Sequence, residues 1–548
     1  MFNLKITTSL ALSLGLMACA QSSTDVHEHR MKGTGSKSDS SVEAVFVELE
    51  FDGEVLASSF FNPRSAIDDQ LLYTIGHLNG HDSNGVGRLD KVEITDIQTS
   101  SAPGGMTRIS YHAVLPAAWG QPDEVPNTHT LRLPKDISFA GQEAFTDKYK
   151  DDCVDWLAHD VDTGIMWYYY RPLANGCDID PDDVVEIEAE VSLSSVNTTG
   201  KYPEYHKIWE DDALRVVAIF GKNEADDDSN SDAGVAAFNS FSRAVKSELS
   251  AYDLVTEPAS IPYSPGVDMP DLTFTATLPD GKTVEVVALL IDGVQLAGPE
   301  FDARYESLTP TADLVSYAGH SGLGANIRAL AQKGEWVTGQ YAVVYMGGCD
   351  TYAYVDSALA DAHAAVNPDD PNGTKYMDII TNAQPAFFHE NPRTVMGFVR
   401  GLLDYDNPKT FENMFADVDD YQVILVSGEE DNVFVPGGGS GDVVEDWQGL
   451  TVSGTVAANA EVHYLAPAAD EGELLAAGRY VFELSGDADA DLYVKIGGEP
   501  TVSDYDCRPY LYGSSEVCEV ELSSPAPVYI MVRGWDPSSS YELIGSKE

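Results

Sequence analysis

Positive charge is what this sequence most lacks: 32 Lys and Arg stand against 89 Asp and Glu, a net charge of −57. Nucleic-acid binding draws its affinity from clustered Lys and Arg on phosphates, so nucleic acid is excluded as a general partner. Docking of a basic patch on anionic lipid is excluded for the same reason. The familiar metal and nucleotide motifs are missing too. His389-Glu390 has no second His at the spacing of a zinc helix, and no C-x-x-C pair is present. There is no P-loop, and no G-x-G-x-x-G joins a strand to a helix. Past the N-terminus no run of uncharged apolar residues reaches the roughly 18 needed to cross a bilayer as a helix. Cysteine is scarce, with six in the chain.

What is present is ample material for cores, with 43% hydrophobic and 10% aromatic residues. A length of 548 residues suggests about three or four domains. The acidic surface is of the strongly hydrated kind expected of an exported protein from a salty habitat. At the N-terminus, MFNLKITTSLALSLGL carries one Lys and an apolar run too short to span a bilayer, followed by Leu16-Met17-Ala18-Cys19. Leu-x-Ala-Cys resembles the bacterial lipobox. The resemblance implies a signal peptide over 1–18, a lipid on Cys19 and a tether over 19–42, whose Ser/Gly-rich sequence lacks any pattern. Ala20 and Gln21 stand where inner-membrane retention signals carry Asp, which points to the outer membrane, with the lipid as the only membrane contact. His27 and His29 fall in the tether and read as solvated.

With Cys19 set aside for lipid, five cysteines remain. Exported compartments are oxidising, so near neighbours are expected to pair as Cys153–Cys177 and Cys507–Cys518, leaving Cys349 unpaired.

Residues 43–205 alternate short strand-like runs with turn signals and read as an all-β domain. Trp167-Tyr168-Tyr169-Tyr170 reads as a buried strand rather than a ligand surface. The stretch 80–90 offers oxygen ligands in a Gly-rich loop but misses the spacing of a calcium loop. Residues 206–435 alternate strand and helix, with apolar runs at 214–220, 284–291, 314–318, 341–346 and 423–426. Helices are expected at 235–249, 323–333, 351–365, 374–383 and 392–403. The fold class is therefore multidomain, with a central doubly wound α/β domain between two β domains. Residues 436–442 (PGGGSGD) are a linker, and 443–548 return to short strands.

This last region resembles the bacterial pre-peptidase C-terminal domain, a β-sandwich, through GDADADLYV (486–494), YDCRPY (505–510), EVC (516–518) and MVRGW (531–535). The alternation of Asp487, Asp489 and Asp491 would place three carboxylates on one face of a strand, a candidate calcium site; hydrogen-bonded turn carboxylates are the alternative. No other cofactor is called for.

Reactive groups in a doubly wound sheet collect at the carboxyl ends of its strands. LVSYA runs into Gly319-His320-Ser321-Gly322, and YAVVYM into Gly347-Gly348-Cys349-Asp350. Consecutive strands are expected to lie side by side, bringing His320 and Cys349 to one rim. A helix starting at Thr351 would favour the Cys349 thiolate. This grammar of hydrophobic strand, His-Gly-type turn, next strand and small residue before Cys resembles the cysteine peptidase clan of caspases, legumains, clostripain and gingipains. The resemblance implies that Cys349 is the nucleophile and His320 the general acid/base, acting on protein or peptide substrates. Ser321 stands where the clan has Gly, so the oxyanion N–H falls to Ser321 or Gly322. Two other readings stand beside it. One is a non-enzymatic surface-binding lipoprotein with an inactive peptidase fold. The other is a serine α/β-hydrolase, because GHSGL (319–323) nearly spells the nucleophile elbow around Ser321, with His363 and His389 downstream.

Overall fold

The computed structural model describes residues 44–547 apart from 81–84, 121–124, 157, 159–160, 195–199, 385, 417, 419–421, 437–442, 445–446, 468–473, 503–504, 510 and 523–524. The expected signal peptide, Cys19, the tether and nearly all of the linker lie outside the described residues. Two compact units are formed. The first holds the described residues before 200 together with Leu214–Arg400 and Glu412–Ser427. The second holds Gly200–Ala213, Gly401–Phe411 and the described part of Gly428–Glu548.

The first unit opens with a sheet of β1 (Val45–Ser58), β2 (Val86–Gly87), β3 (Glu93–Ala102), β4 (Met106–Trp119), β5 (Thr128–Pro134) and β6 (Val184–Leu193), in the order β2-β4-β1-β6-β5 with β3 on β4. β1 runs straight through Asp52-Gly53, a pair that reads as a turn. Gly53 lies opposite Tyr111 of β4, and a Cβ there would sit 2.2 Å from the tyrosine ring, so the glycine makes room for the aromatic.

The expectation of an all-β domain needs correction, since helices at Pro63–Leu71 and Tyr73–Asn79 pack on this sheet and Phe145 and Tyr149 of a third, Phe139–Tyr149, enter its core. The caps explain two of them: Asn62 accepts from Arg64 N with Pro63 at the first position, and Ser138 accepts from Gly141 N. Trp167–Tyr169 are buried as expected, but in a single helical turn, Met166–Tyr169. The Cys153–Cys177 disulfide forms as anticipated.

The second sheet of this unit has eight strands: β7 (Ala213–Gly221), β8 (Asp253–Glu257), β9 (Asp271–Thr277), β10 (Thr283–Ile291), β11 (Leu314–Ala318), β12 (Ala342–Gly347), β13 (Met377–Asn382) and β14 (Ile424–Ser427). Their order is β14-β13-β12-β11-β7-β10-β9-β8. β7, β11, β12 and β13 are mutually parallel, and antiparallel strands close both edges. From β7 the chain builds first to one side and then to the other, so the order reverses beside β7. Two helix expectations are corrected here. Residues 374–383 contain strand β13, whose six residues are all buried; a run rich in β-branched Ile379, Ile380 and Thr381 suits a strand covered on both faces. The helix expected over 351–365 is two pieces, Thr351–Tyr354 and Ala358–Val366. The second piece starts afresh because Asp356 accepts from Ala358 N and Ser357 donates to Asp361. One hydrophobic core runs from Val47 and Leu49 through Tyr170 to Val217, Val315 and Val344, shared by both sheets.

In the second unit, β15 (Val443–Val444) and β18 (Leu474–Leu475) form a short parallel pair; β16 (Leu450–Ala457), β23 (Ser538–Lys547), β19 (Gly478–Gly486) and β21 (Glu516–Leu522) form an antiparallel sheet; β17 (Glu461–Ala466), β22 (Val528–Gly534) and β20 (Ala490–Ile496) form another. A common core that includes Tyr480, Phe482, Leu492 and Ile530 joins them as a sandwich, and Cys507–Cys518 is closed as expected.

Candidate active site

β7, β11 and β12 end level with one another: Ala318 is in register with Phe220 on one side and Gly347 on the other. The turns leaving them crowd together. A Cβ on Gly319 would lie 3.1 Å from Gly221 Cα, and one on Gly348 would lie 3.0 Å from Ser321 N. Glycine at both positions is what lets the backbones approach this closely. The expected meeting of the His320 and Cys349 turns at one rim, beside the reversal of strand order, is thus seen in the backbone.

His320 is 8% exposed, its ring edge-on to Phe388 with centroids 5.2 Å apart. Nε2 lies 3.0 Å from the carbonyl oxygen of Asn223, in the segment after β7. A carbonyl only accepts, so Nε2 carries the proton and Nδ1 is left with its lone pair. Burial pushes the His320 pKa below its ordinary value, with the Asn223 carbonyl and the charges of Glu224 and Asp232 acting against that shift. The imidazole is therefore neutral at pH 7, the form a general base requires.

Cys349 is 2% exposed and its sulfur accepts from Ala386 N at 3.3 Å. The segment 386–388 thus touches both Cys349 and His320. The expectation of an unpaired Cys349 is corrected: the residue is disulfide-bonded, and no described cysteine is free. The helix-dipole expectation is also corrected, because Thr351–Tyr354 is a single turn and carries little macrodipole.

Asp350, next in sequence, is buried in a left-handed conformation (φ 49°), with Asn79 Nδ2 donating to its Oδ1 at 2.7 Å. Burial pushes its carboxyl up to about 7, against the pull of a Tyr168 hydrogen bond and the Arg171 charge. Ser321 is buried with ordinary helical backbone (φ −65°); the left-handed positions are Gly322, Leu323 and Gly324, one residue further on.

The other candidate residues have contacts of their own. His363 is buried against Trp336, and His389 pairs with Glu390 at 3.1 Å. Asp487, Asp489 and Asp491 do not line one strand face, since β19 stops at Gly486 and the first two sit in the turn before β20. Asp487 accepts from Ser540 N, Asp489 from Gly513 N, and Asp491 pairs with Arg508 at 3.0 Å. Among the described residues, no group of three or more His, Cys, Asp or Glu is arranged to hold a metal. The 80–90 loop falls partly outside the described residues, and Asp90 is paired with Arg88 at 2.6 Å.

Sequence reasoning passed over Asn79, Asn223, Asp232 and Asp350. Asn223 acts through its carbonyl, which no side-chain motif reveals. Asp232 was visible only as an acid before a helical stripe, the place of an N-cap.

No protein-family model matches the chain. A stretch of 95 residues is 32% identical to alkaline serine exoprotease A of Vibrio alginolyticus, covering 17% of each chain. Another match, of 50 residues, is 48% identical to neutral protease of Vibrio proteolyticus, covering 9% of this chain and 8% of that one. The virulence metalloprotease of Vibrio anguillarum matches at 41% over 58 residues, 11% of this chain and 10% of the relative. The chain thus spans about a sixth or less of the length of these relatives. Among solved structures, one titled "Solution structure of vEP C-ter 100" is 33% identical over 19% of this chain and 96% of its own, with a TM-score of 0.15. The pre-peptidase C-terminal domain of Bacillus anthracis collagenase is 13% identical over the same shares, also with a TM-score of 0.15.

Proposed function

We propose that this chain is an exported peptidase whose α/β sheet carries a Cys349–His320 pair, active once the Cys349 disulfide is reduced. The observation that carries the reading is the rim itself. The two turns abut at the carboxyl ends of adjacent parallel strands, and Asn223 holds the His320 imidazole with Nδ1 available as a base. The resemblance to the caspase, legumain and gingipain clan assigns the roles. The short stretches shared with relatives named as serine and as metalloproteases suit an accessory module that is indifferent to catalytic type. Residues 443–548 are that module in this reading.

A dithiol reductant opens the disulfide: one of its thiolates bonds the partner sulfur as Cys349 Sγ leaves as a thiol, and its second thiol then closes the reductant's own disulfide and releases the partner as a thiol. The Cys349 thiol gives its proton to His320 Nδ1, and Sγ attacks the peptide carbonyl carbon. As the C–N bond breaks, His320 returns the proton to the departing amine. Water, deprotonated by the same imidazole, then cleaves the thioester and restores the thiol. The Ser321 or Gly322 N–H faces the oxyanion.

The test is cleavage of a mixed peptide library by the full chain, with and without dithiothreitol. Cleavage is expected only with reductant, and Cys349→Ala and His320→Ala should each abolish it, the double variant being no worse. Ser321→Ala should retain activity. Loss of activity in that variant alone would establish the serine hydrolase, although Ser321 lacks the strained backbone of a nucleophile elbow. If the reduced wild type cleaves nothing, even after proteolytic nicking of the acidic 224–231 loop, the non-enzymatic binding lipoprotein is the better reading. The disulfide at Cys349 favours that second reading.

A further inference from the structure

Asp232 is the N-cap of the helix Ala233–Leu249, and its carboxylate does more than a cap requires. It is 4% exposed, and its Oδ1 accepts from Val235 N at 2.9 Å, the ordinary capping bond. Oδ1 also accepts from Asn223 N at 3.1 Å, and Oδ2 accepts from Glu224 N at 2.8 Å. Those two N–H groups lie across the acidic loop, in the segment leaving β7. The Glu224 N–H and the Asn223 C=O belong to one peptide group, and that carbonyl is the one 3.0 Å from His320 Nε2. A single peptide plane is therefore gripped at its N–H by a buried carboxylate and at its oxygen by the imidazole.

We propose that Asp232 is a positioning residue for His320, acting through the Asn223–Glu224 peptide group as the carboxylate of a triad acts on its histidine directly. The proposal rests on the reading of His320 as the general acid/base. An N–H that donates to a carboxylate polarises its amide, and the C=O of that amide becomes a stronger acceptor for the Nε2 proton. This fixes the tautomer with Nδ1 bare and favours the imidazolium that forms when the thiol is deprotonated. Of the other groups around His320, Phe388 is apolar, Glu224 also raises the pKa through its charge, and Lys222, the residue before Asn223, is taken up by Asp228 at 2.8 Å and Asp292 at 2.9 Å.

The experiment compares the full-length wild type with Asp232→Ser and Asp232→Asn. Serine still caps Val235 N but carries neither the charge nor a second oxygen for Glu224 N. The readout is the titration and 15N tautomer signature of His320 by NMR on ring-labelled protein, with the His320→Gln spectrum giving the assignment. Both variants should lower the His320 pKa by about one unit and raise the fraction protonated at Nδ1. Asp232→Ser keeps the cap but loses the bonds to Asn223 N and Glu224 N, so it should be less stable than wild type and is titrated well below its melting temperature. Cleavage by the reduced protein should show kcat reduced about 10–100-fold with KM unchanged. An unchanged His320 titration in both variants would overturn the proposal and leave Asp232 as a helix cap. A shifted titration with no cleavage by any form, wild type included, would uphold the coupling and sink the peptidase reading instead.

Discussion

Two histidines are buried in the same sheet-and-helix layer, and burial alone does not make them equivalent. His320 keeps an acceptor at Nε2, whereas both ring nitrogens of His363 lack a hydrogen-bond partner among the described residues. Desolvation beside Trp336 pushes the His363 pKa to about 4, with the Asp370 charge opposing only weakly. The unfolded chain binds this proton near pH 6.5, so below that value the unfolded state gains protons that the folded state refuses. Stability from this group is therefore complete above pH 6.5 and falls as pH drops towards 4. The gap of 6.5 − 4 = 2.5 units corresponds to about 3 kcal/mol at 1.36 kcal/mol per unit. His363→Leu should flatten the acid limb of the stability curve. Urea midpoints of wild type and variant at pH 7, 5.5 and 4.5 should show the difference moving in favour of the variant as pH falls, and parallel curves would sink the assignment.

Among the elements, those whose residues carry their own reasons were legible from sequence. The apolar runs of β7, β11 and β12 are buried on both faces, and the stripe of Val235, Phe238, Phe241, Val245 and Leu249 is the buried side of its helix. What failed had a local signal that tertiary context overrode or a cap that went unread. Thr351–Tyr354 stops because Asp356 and Ser357 restart the chain, and β13 resembles a helix only while its β-branched residues are ignored. The N-terminal helices declare themselves through Asn62-Pro63 and Ser138, signals lost among turn residues. One of those helices now bears on the candidate site. Asn79, the last residue of Tyr73–Asn79, donates to Asp350 Oδ1 at 2.7 Å and to the Ala383 carbonyl at 2.9 Å, tying the turns after β12 and β13. Asn79→Ala strips donors from a buried carboxyl and should lower stability by about 1–3 kcal/mol. Asn79→Asp sets a second acid against Asp350, whose pKa is pushed up to about 7. Its loss should be larger at pH 8 than at pH 6, because the repulsion needs both groups ionised. Urea midpoints at the two pH values decide it, and a pH-independent loss would mean that Asp350 stays protonated or finds another partner.

For the whole molecule, the net charge of −57 sets what can hold the chain to a membrane. Anionic headgroups repel such a surface at low salt and are screened from it at physiological salt, so they contribute no adhesion. Among the described residues no helix is long and apolar enough to cross a bilayer. The lipobox resemblance implies an attachment of another kind, acyl chains carried by Cys19, each buried CH2 contributing about 0.8 kcal/mol. That attachment begins with a thioether, and a serine hydroxyl cannot form one. Cys19→Ser should therefore move the protein from the membrane pellet to the soluble fraction, or leave it unprocessed with its leader attached. Repeating the fractionation in high salt separates lipid from charge, because acyl insertion survives salt and ionic adhesion does not. A Cys19→Ser protein that pellets like wild type would exclude the lipid as the anchor and shift the search to β-rich surfaces of the chain itself.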